Sequence, residues 1–327
     1  SLKSIIIPSY SINFGITARR HIVEKNRLKK LGSSAILLVT AIIWGFAFVA
    51  QAVGADYIGA FTFNGIRFLL GALSLIPVIH FFEKTDMTPK LKKKTLICGS
   101  IAGVFLFSAS TLQQFGIQLT GNAGKASFIT GFYTVLVPVA AFFILHKKVS
   151  PFTWVGVVFA VVGLYFVCMN GGESFGFGDV LTLIATCFWT AHIVFIDYST
   201  ESIPPIRFSM VQFFVCGFLS VICALIFEDI TFSSITAAAL PIIYGGFMSV
   251  GVAYTCQAVG QKYADPAPAA IILSTESVFG AIGGAIILGE RMQPRGYIGC
   301  VLIFAGIILS QITPKKSSGS IPSGDVK

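Results

Sequence analysis

Long apolar runs alternate with short polar breaks from residue 34 to residue 312. Ten runs can be marked, at 34–54, 59–82, 95–119, 124–145, 151–169, 178–197, 207–227, 236–260, 267–288 and 295–312. A helix needs about twenty apolar residues to cross a hydrocarbon core of ~30 Å, and each run is near that length. The connections are short, which leaves no room for an extramembrane domain. The pattern predicts an all-α polytopic membrane protein of ten transmembrane helices.

The pattern also repeats. Shifted by 143 positions, Pro151 meets Pro294, Gly156 meets Gly299 and Gly163 meets Gly306. At the same offset Gly103 meets Gly246, Gln114 meets Gln257 and Gln118 meets Gln261. Matches among Ile, Val and Ala are cheap in so apolar a chain. Matches of Pro, Gly and Gln are not, because such residues are scarce in membrane spans. The expected organisation is a basic N-terminal segment at 1–33, a five-helix repeat at 34–169, its copy at 178–312 and a tail at 313–327.

Charge sets the orientation. Nineteen of the 23 Lys and Arg residues fall on one side if the N-terminus is cytoplasmic. Lys125, Arg291 and Arg295 fall on the other, and Arg67 lies within a span. This bias predicts cytoplasmic termini in a plasma (inner) membrane protein. Five spans per repeat is an odd number, so the second repeat must enter the membrane upside down. Inverted repeats are a feature of secondary transporters, whose site lies near the midplane between the halves.

Composition narrows the class further. The chain is 55% hydrophobic and 11% charged, whereas soluble domains carry about a quarter charged residues. A net charge of +9 could suggest a nucleic-acid partner. The cations flank apolar runs, however, so lipid and a small-molecule substrate are the expected partners, for a monomer or a homodimer. Seven cysteines lie in or beside apolar runs without metal-ligand spacing. No metal or cofactor is expected, nor a secretory signal in 1–33. No nucleotide loop or nucleophile–His–acid grouping supports ATP-driven transport or catalysis.

Several short motifs point to a family. They are Trp44-Gly45-Phe46, Ile66-Arg67-Phe68, Gly178-Asp179, Trp189, Glu276-Ser277-Val278-Phe279, Leu288-Gly289-Glu290-Arg291 and Gly299…Leu302-Ile303…Gly306. In this order they resemble the EamA-type branch of the drug/metabolite transporter superfamily, over about 34–312. The resemblance implies a ten-helix permease for small metabolites, often an exporter of amino acids or related solutes. A multidrug or nucleotide-sugar-like carrier stays open, as does a non-transport intramembrane protein. The chain departs from the family where Ser277 replaces the proline after the ninth-span acid. It departs again where His146-Lys147 replace Gly-Glu at the end of the first repeat's fourth span.

Polar residues inside spans are the candidates for the site. Of fourteen acids, Glu276 alone is deep. An unpaired carboxylate there costs several kcal/mol, so Glu276 reads as a proton-coupling or amine-binding group, or as a protonated interhelical bond. Arg67 is a carboxylate clamp or a snorkelling cation, with Arg207 as its counterpart in the repeated Ile-Arg-Phe. His192 is a site residue or a satisfied core histidine. Trp44 and Trp189, near mid-span, line a cavity or pack the core. Tyr133 and Thr134 occupy the copies of Glu276 and Ser277. With Asn64, Gln114, Gln212, Tyr254 and Gln257 they complete the expected cavity lining, each set against a plain interhelical hydrogen bond.

Overall fold

The computed structural model of the chain describes residues 10–83, 86–145, 150–168, 175–200, 203–261 and 272–310. Every regular element among them is helical. The helices are α1 (Tyr10–Ala55), α2 (Ala60–Phe82), α3 (Pro89–Thr120), α4 (Ala123–Gly131), α5 (Tyr133–Leu145), α6 (Pro151–Cys168) and α7 (Phe177–Thr200). Then come α8 (Pro205–Phe227), α9 (Phe232–Ala237), α10 (Ala239–Ile243), a π-helical stretch (Tyr244–Ala253), α11 (Tyr254–Gln261), α12 (Glu276–Ile287) and α13 (Pro294–Ser310).

Seven helical segments among the described residues are long and apolar enough to cross a membrane. Three more apolar helices, Pro151–Val167, Ile272–Ile287 and Pro294–Leu309, are shorter. Large apolar side chains such as Leu225, Phe227, Ile286 and Val301 stand exposed around the bundle. An apolar surface of this extent calls for lipid as its solvent. The chain is a polytopic membrane protein.

Local chemistry sets the turns. Thr88 caps α3 by accepting from the amide of Leu91, and Pro89 opens the helix without an N–H to lose. Gly121, at φ +60°, closes α3 in the left-handed region. Asn122 at once caps α4, its Oδ1 accepting from the Lys125 amide at 2.7 Å.

Three expected spans are not continuous. The run 124–145 breaks between α4 and α5 at Phe132, whose amide turns back to Ile129 O. The run 267–288 breaks at Thr275, whose amide turns back to Ile272 O. These positions are 143 apart, the offset of the sequence repeat. The run 236–260 is interrupted near its start at Ala238 and then changes hydrogen-bond register, becoming π-helical from Tyr244 to Ala253. Residues 10–33, expected as part of a basic N-terminal segment, continue α1 without interruption.

Glycines let the helices close on one another. Helices α6 and α13 cross antiparallel, with Gly163 against Gly299 and Gly156 against Gly306. A β-carbon on Gly163 would lie 2.7 Å from Gly299 O, and one on Gly299 would lie 2.6 Å from Gly163 O. Gly65 faces Val221 and Gly217 faces Leu69 between α2 and α8, again antiparallel. Gly99 and Gly103 of α3 lie on Val211 and Val215 of α8, in the packing role expected of small residues.

Loop acids turn out to be helix caps. Glu228, just past α8, accepts from the Phe61 and Thr62 amides at 2.8 Å each, at the start of α2. Glu83, just past α2, accepts from the Arg207 amide at 3.0 Å, at the start of α8. The two caps are reciprocal at an offset of 145, which sets Thr62 opposite Arg207. That corrects the expected pairing of Arg67 with Arg207. Glu290 likewise accepts from the Ala123 and Gly124 amides at the start of α4. Burial pushes the Glu83 carboxyl above the usual carboxylate range, while hydrogen bonds from the start of α8 oppose the shift.

Candidate functional site

A cavity of about 290 Å³ lies among α1, α2, α3, α4, α5, α7, α8, the π-helical stretch, α11 and α12. Nine of the twelve expected residues border it: Trp44, Arg67, Tyr133, Trp189, His192, Gln212, Tyr254, Gln257 and Glu276. Asn64, Gln114 and Thr134 do not. Asn64 is enclosed and accepts from Arg67 Nε at 2.9 Å. Gln114 is enclosed and donates to Gln51 O at 2.9 Å, joining α3 to α1. Thr134 is buried beside the cavity rather than on its wall.

The two helix breaks place a polar pair on the cavity wall. Tyr133 is the first residue after one break and Glu276 the first after the other. Tyr133 donates its hydroxyl to Glu276 Oε1 at 3.0 Å. Around them Ser277 Oγ donates to Ser127 O, and Ser127 Oγ donates to Ser277 O, at 3.0 and 3.1 Å. Ser277 is thus one half of a reciprocal clasp between α4 and α12.

Aromatic rings form much of the wall. Trp44 meets Tyr254 edge to face at 4.9 Å, and Tyr254 meets Phe213 at 5.0 Å. The Trp44 indole donates to Ser249 O, in the π-helical stretch, at 3.1 Å. Trp189 lies over His192 at 5.8 Å, and His192 Nε2 pairs with Gln212 Oε1 at 2.8 Å.

Sequence reasoning missed the amide at the far end of this wall. Gln113 Oε1 accepts from the Trp189 indole at 2.8 Å, and its Nε2 donates to Gln51 Oε1 at 3.1 Å. One side chain therefore ties α3 to α7 and α1. Thr130, Ser209 and Ser249 also border the cavity without having been singled out. The available signal was that Gln51 and Gln113, like Gln114, are amides inside apolar runs.

Beyond the amide cluster, toward the Glu228 end of the bundle, Lys125 Nζ meets Asp179 Oδ2 at 2.8 Å, with both side chains buried. This pair joins α4 to α7, and Asp179 also accepts from the Gly176 amide. In the opposite direction the lining reaches Ile196 and Pro205, at the Glu83 end.

Comparison with known proteins decides the family. The model of the EamA-like transporter family matches residues 32–169 and again 176–311. The chain belongs to that family. An uncharacterized transporter of Archaeoglobus fulgidus is 29% identical over 86% of this chain and 86% of its own. The uncharacterized transporter YetK of Bacillus subtilis is 26% identical over 91% and 92%. A probable amino-acid metabolite efflux pump of Escherichia coli is 25% identical over 86% and 95%. One solved crystal structure superposes with a TM-score of 0.64, covering 85% of this chain and 96% of its own, at 15% identity. That likeness is one of fold. As an EamA-like protein the chain is a membrane transporter for small molecules, a class that is not enzymatic.

Proposed function

We propose that this EamA-like protein is a secondary transporter that exports small organic metabolites, amino acids or related solutes, by alternating access between two inverted five-helix repeats, 34–169 and 178–312. Ten crossings, with both termini cytoplasmic in the plasma membrane, belong to the same reading. The observation that carries it is the pair of helix breaks at Phe132 and Thr275, which set Tyr133 and Glu276 face to face on the cavity wall. Broken helices at mid-depth are where carriers build their sites, since irregular backbone is tolerated there when it lines a cavity. Three features support the inversion. The glycine pairs of α6 and α13 exchange under the 143 offset, the caps Glu83 and Glu228 exchange under an offset of 145, and the crossings are antiparallel. Helices that exchange with one another and run antiparallel are related by an axis across their length, which is the bilayer plane if they span it.

In this reading the Glu83 end faces the cytoplasm, where Lys90, Lys92, Lys93 and Lys94 open α3. The cavity then reaches the cytoplasmic side at Pro205. The Gln113 cluster and the Lys125–Asp179 pair hold the other side shut. Substrate would bind among Trp44, Tyr133, Trp189, Tyr254 and Glu276, with Glu276 exchanging a proton or an amine as the halves rock. The relative described as an amino-acid metabolite efflux pump favours amino-acid-like cargo. Proteoliposomes loaded with a labelled amino-acid panel, with and without a pH gradient, test the reading. Gradient-driven flux that Glu276→Gln abolishes is expected, and flux indifferent to both gradient and variant would refute the coupling.

A further inference from the structure

The cavity holds one positive charge, and the way it is held assigns it a ligand. Arg67 sits two turns into α2 and is 4% exposed. Its Nε is spent on Asn64 Oδ1. Its guanidinium carbon lies 4.7 Å from the ring centre of Phe68 and 5.4 Å from that of Phe63. Gly245 makes room for its stem, since a β-carbon there would sit 3.2 Å from Arg67 Cδ. The side chain does not snorkel to the helix end; it is fixed where it stands.

Among the described residues no carboxylate pairs with it. The ion pairs among the described residues are Lys125 with Asp179 and Arg207 with Glu83. Apart from Nε, no guanidinium nitrogen of Arg67 has a protein acceptor among the described residues, and these nitrogens are not sealed in protein. Arg67 is on the cavity wall. An arginine stays charged in proteins, and a charge at this depth without a partner is costly. A fork of donors on a cavity wall matches a planar carboxylate, which it can hold by two parallel hydrogen bonds.

We infer that Arg67 is the docking point for the carboxylate of the cargo, so the protein takes carboxylated solutes and rejects their neutral amides and decarboxylated amines. This rests on the transport reading above and gives its cargo an orientation. A single cation suits a monoanion better than a phosphate dianion. Glu276 is the acid on the lining and can receive the proton or ammonium at the other pole of the solute.

Intrinsic fluorescence can read the docking. The chain has three tryptophans; Trp44 and Trp189 border the cavity, and Trp154 is exposed on the outer surface. A Trp154→Phe background leaves only the cavity reporters. Purified full chain is titrated with L-leucine and L-phenylalanine, their amides and their decarboxylated amines. The acids should quench and the amides should not. Arg67→Gln should weaken the acids by about tenfold or more, with Arg67→Lys between. Gly245→Ala, which presses on the stem while keeping the charge, should weaken the acids and leave the helical melting curve in place. Equal binding of acids and amides, unchanged discrimination in Arg67→Gln, or no quenching by either acid would overturn the inference. Counterflow in proteoliposomes separates the two ideas. Binding through Arg67 without flux would sink the transport reading alone, and flux of acids and amides alike would sink the Arg67 assignment alone.

Discussion

Tyr133 and Glu276, 143 positions apart, each follow the break in their own helix and meet at 3.0 Å, the tyrosine donating and the carboxyl accepting. A phenol and an acid thus occupy equivalent places in the two halves of the chain. In the proposed cycle the carboxyl carries the proton and the phenol only donates to it.

Tyr133→Phe is therefore expected to slow transport without uncoupling it. The variant keeps the ring and removes one hydrogen bond to a charged or polar group, worth about 1.5–3 kcal/mol. Flux measured as a function of pH should keep its dependence while the midpoint moves. Abolition of the pH dependence by Tyr133→Phe alone would show that the proton route runs through the phenol.

The caps should matter for stability. Glu228 serves two amides and the Thr62 hydroxyl at once. Losing such a cap costs about 1–2 kcal/mol. Glu228→Ala should lower the melting temperature of the purified protein, while Glu228→Gln, which can still accept, should lower it less. Equal melting of all three proteins would remove the capping role.

Glu83 gives a pH signature of known sign. Burial raises its carboxyl in the folded state above the unfolded value. The folded state therefore holds the proton more tightly. The associated stability is full below the ordinary carboxyl range and is lost as pH rises through the raised value. Wild type should lose melting temperature across that window more steeply than Glu83→Gln. Parallel curves would contradict the shift.

The crossing of α6 and α13 admits no side chain at Gly163, Gly299 or Gly306. Gly163→Ala and Gly299→Ala should each cost about 1–3 kcal/mol, because the neighbour in the way is backbone and cannot swing aside. Reduced yield of monodisperse protein and a lowered melting temperature are the readouts. Gly32→Ala, where nothing lies within 4 Å, is the control and should melt like wild type.

The apolar runs and the 143-residue repeat carry most of this architecture, since lipid demands long apolar helices and duplication leaves rare residues in matching places. Of the glycines matched by the repeat, Gly156, Gly163, Gly299 and Gly306 face each other across α6 and α13. The breaks at Phe132 and Thr275 were not legible, because neither position holds the Gly or Pro that marks a break locally. The serine clasp lies a few residues from both breaks. Gln113 was passed over for its neighbour Gln114, which has a copy in Gln257. Neighbours on a helix point about 100° apart, and one sequence does not say which faces the cavity. Acids near span ends read as loop residues, since nothing in the chain reveals that a carboxylate one helix away will find bare amides. Arg67 could reach water by length alone; only the packing of Phe63, Phe68 and Asn64 fixes it inward.

Glu290 hooks the start of α4, but the position 143 residues earlier is Lys147, which has no lone pair to offer an amide. The halves are therefore imperfect mirrors. Under the rocking proposed above, parting that rim must unfasten the Glu290 hook, a bond that a lysine side chain is not able to copy. A carrier that rocks as proposed would then favour the state with this hook fastened before any cargo arrives, and Lys147→Glu is the smallest change that would offer the other rim an acceptor.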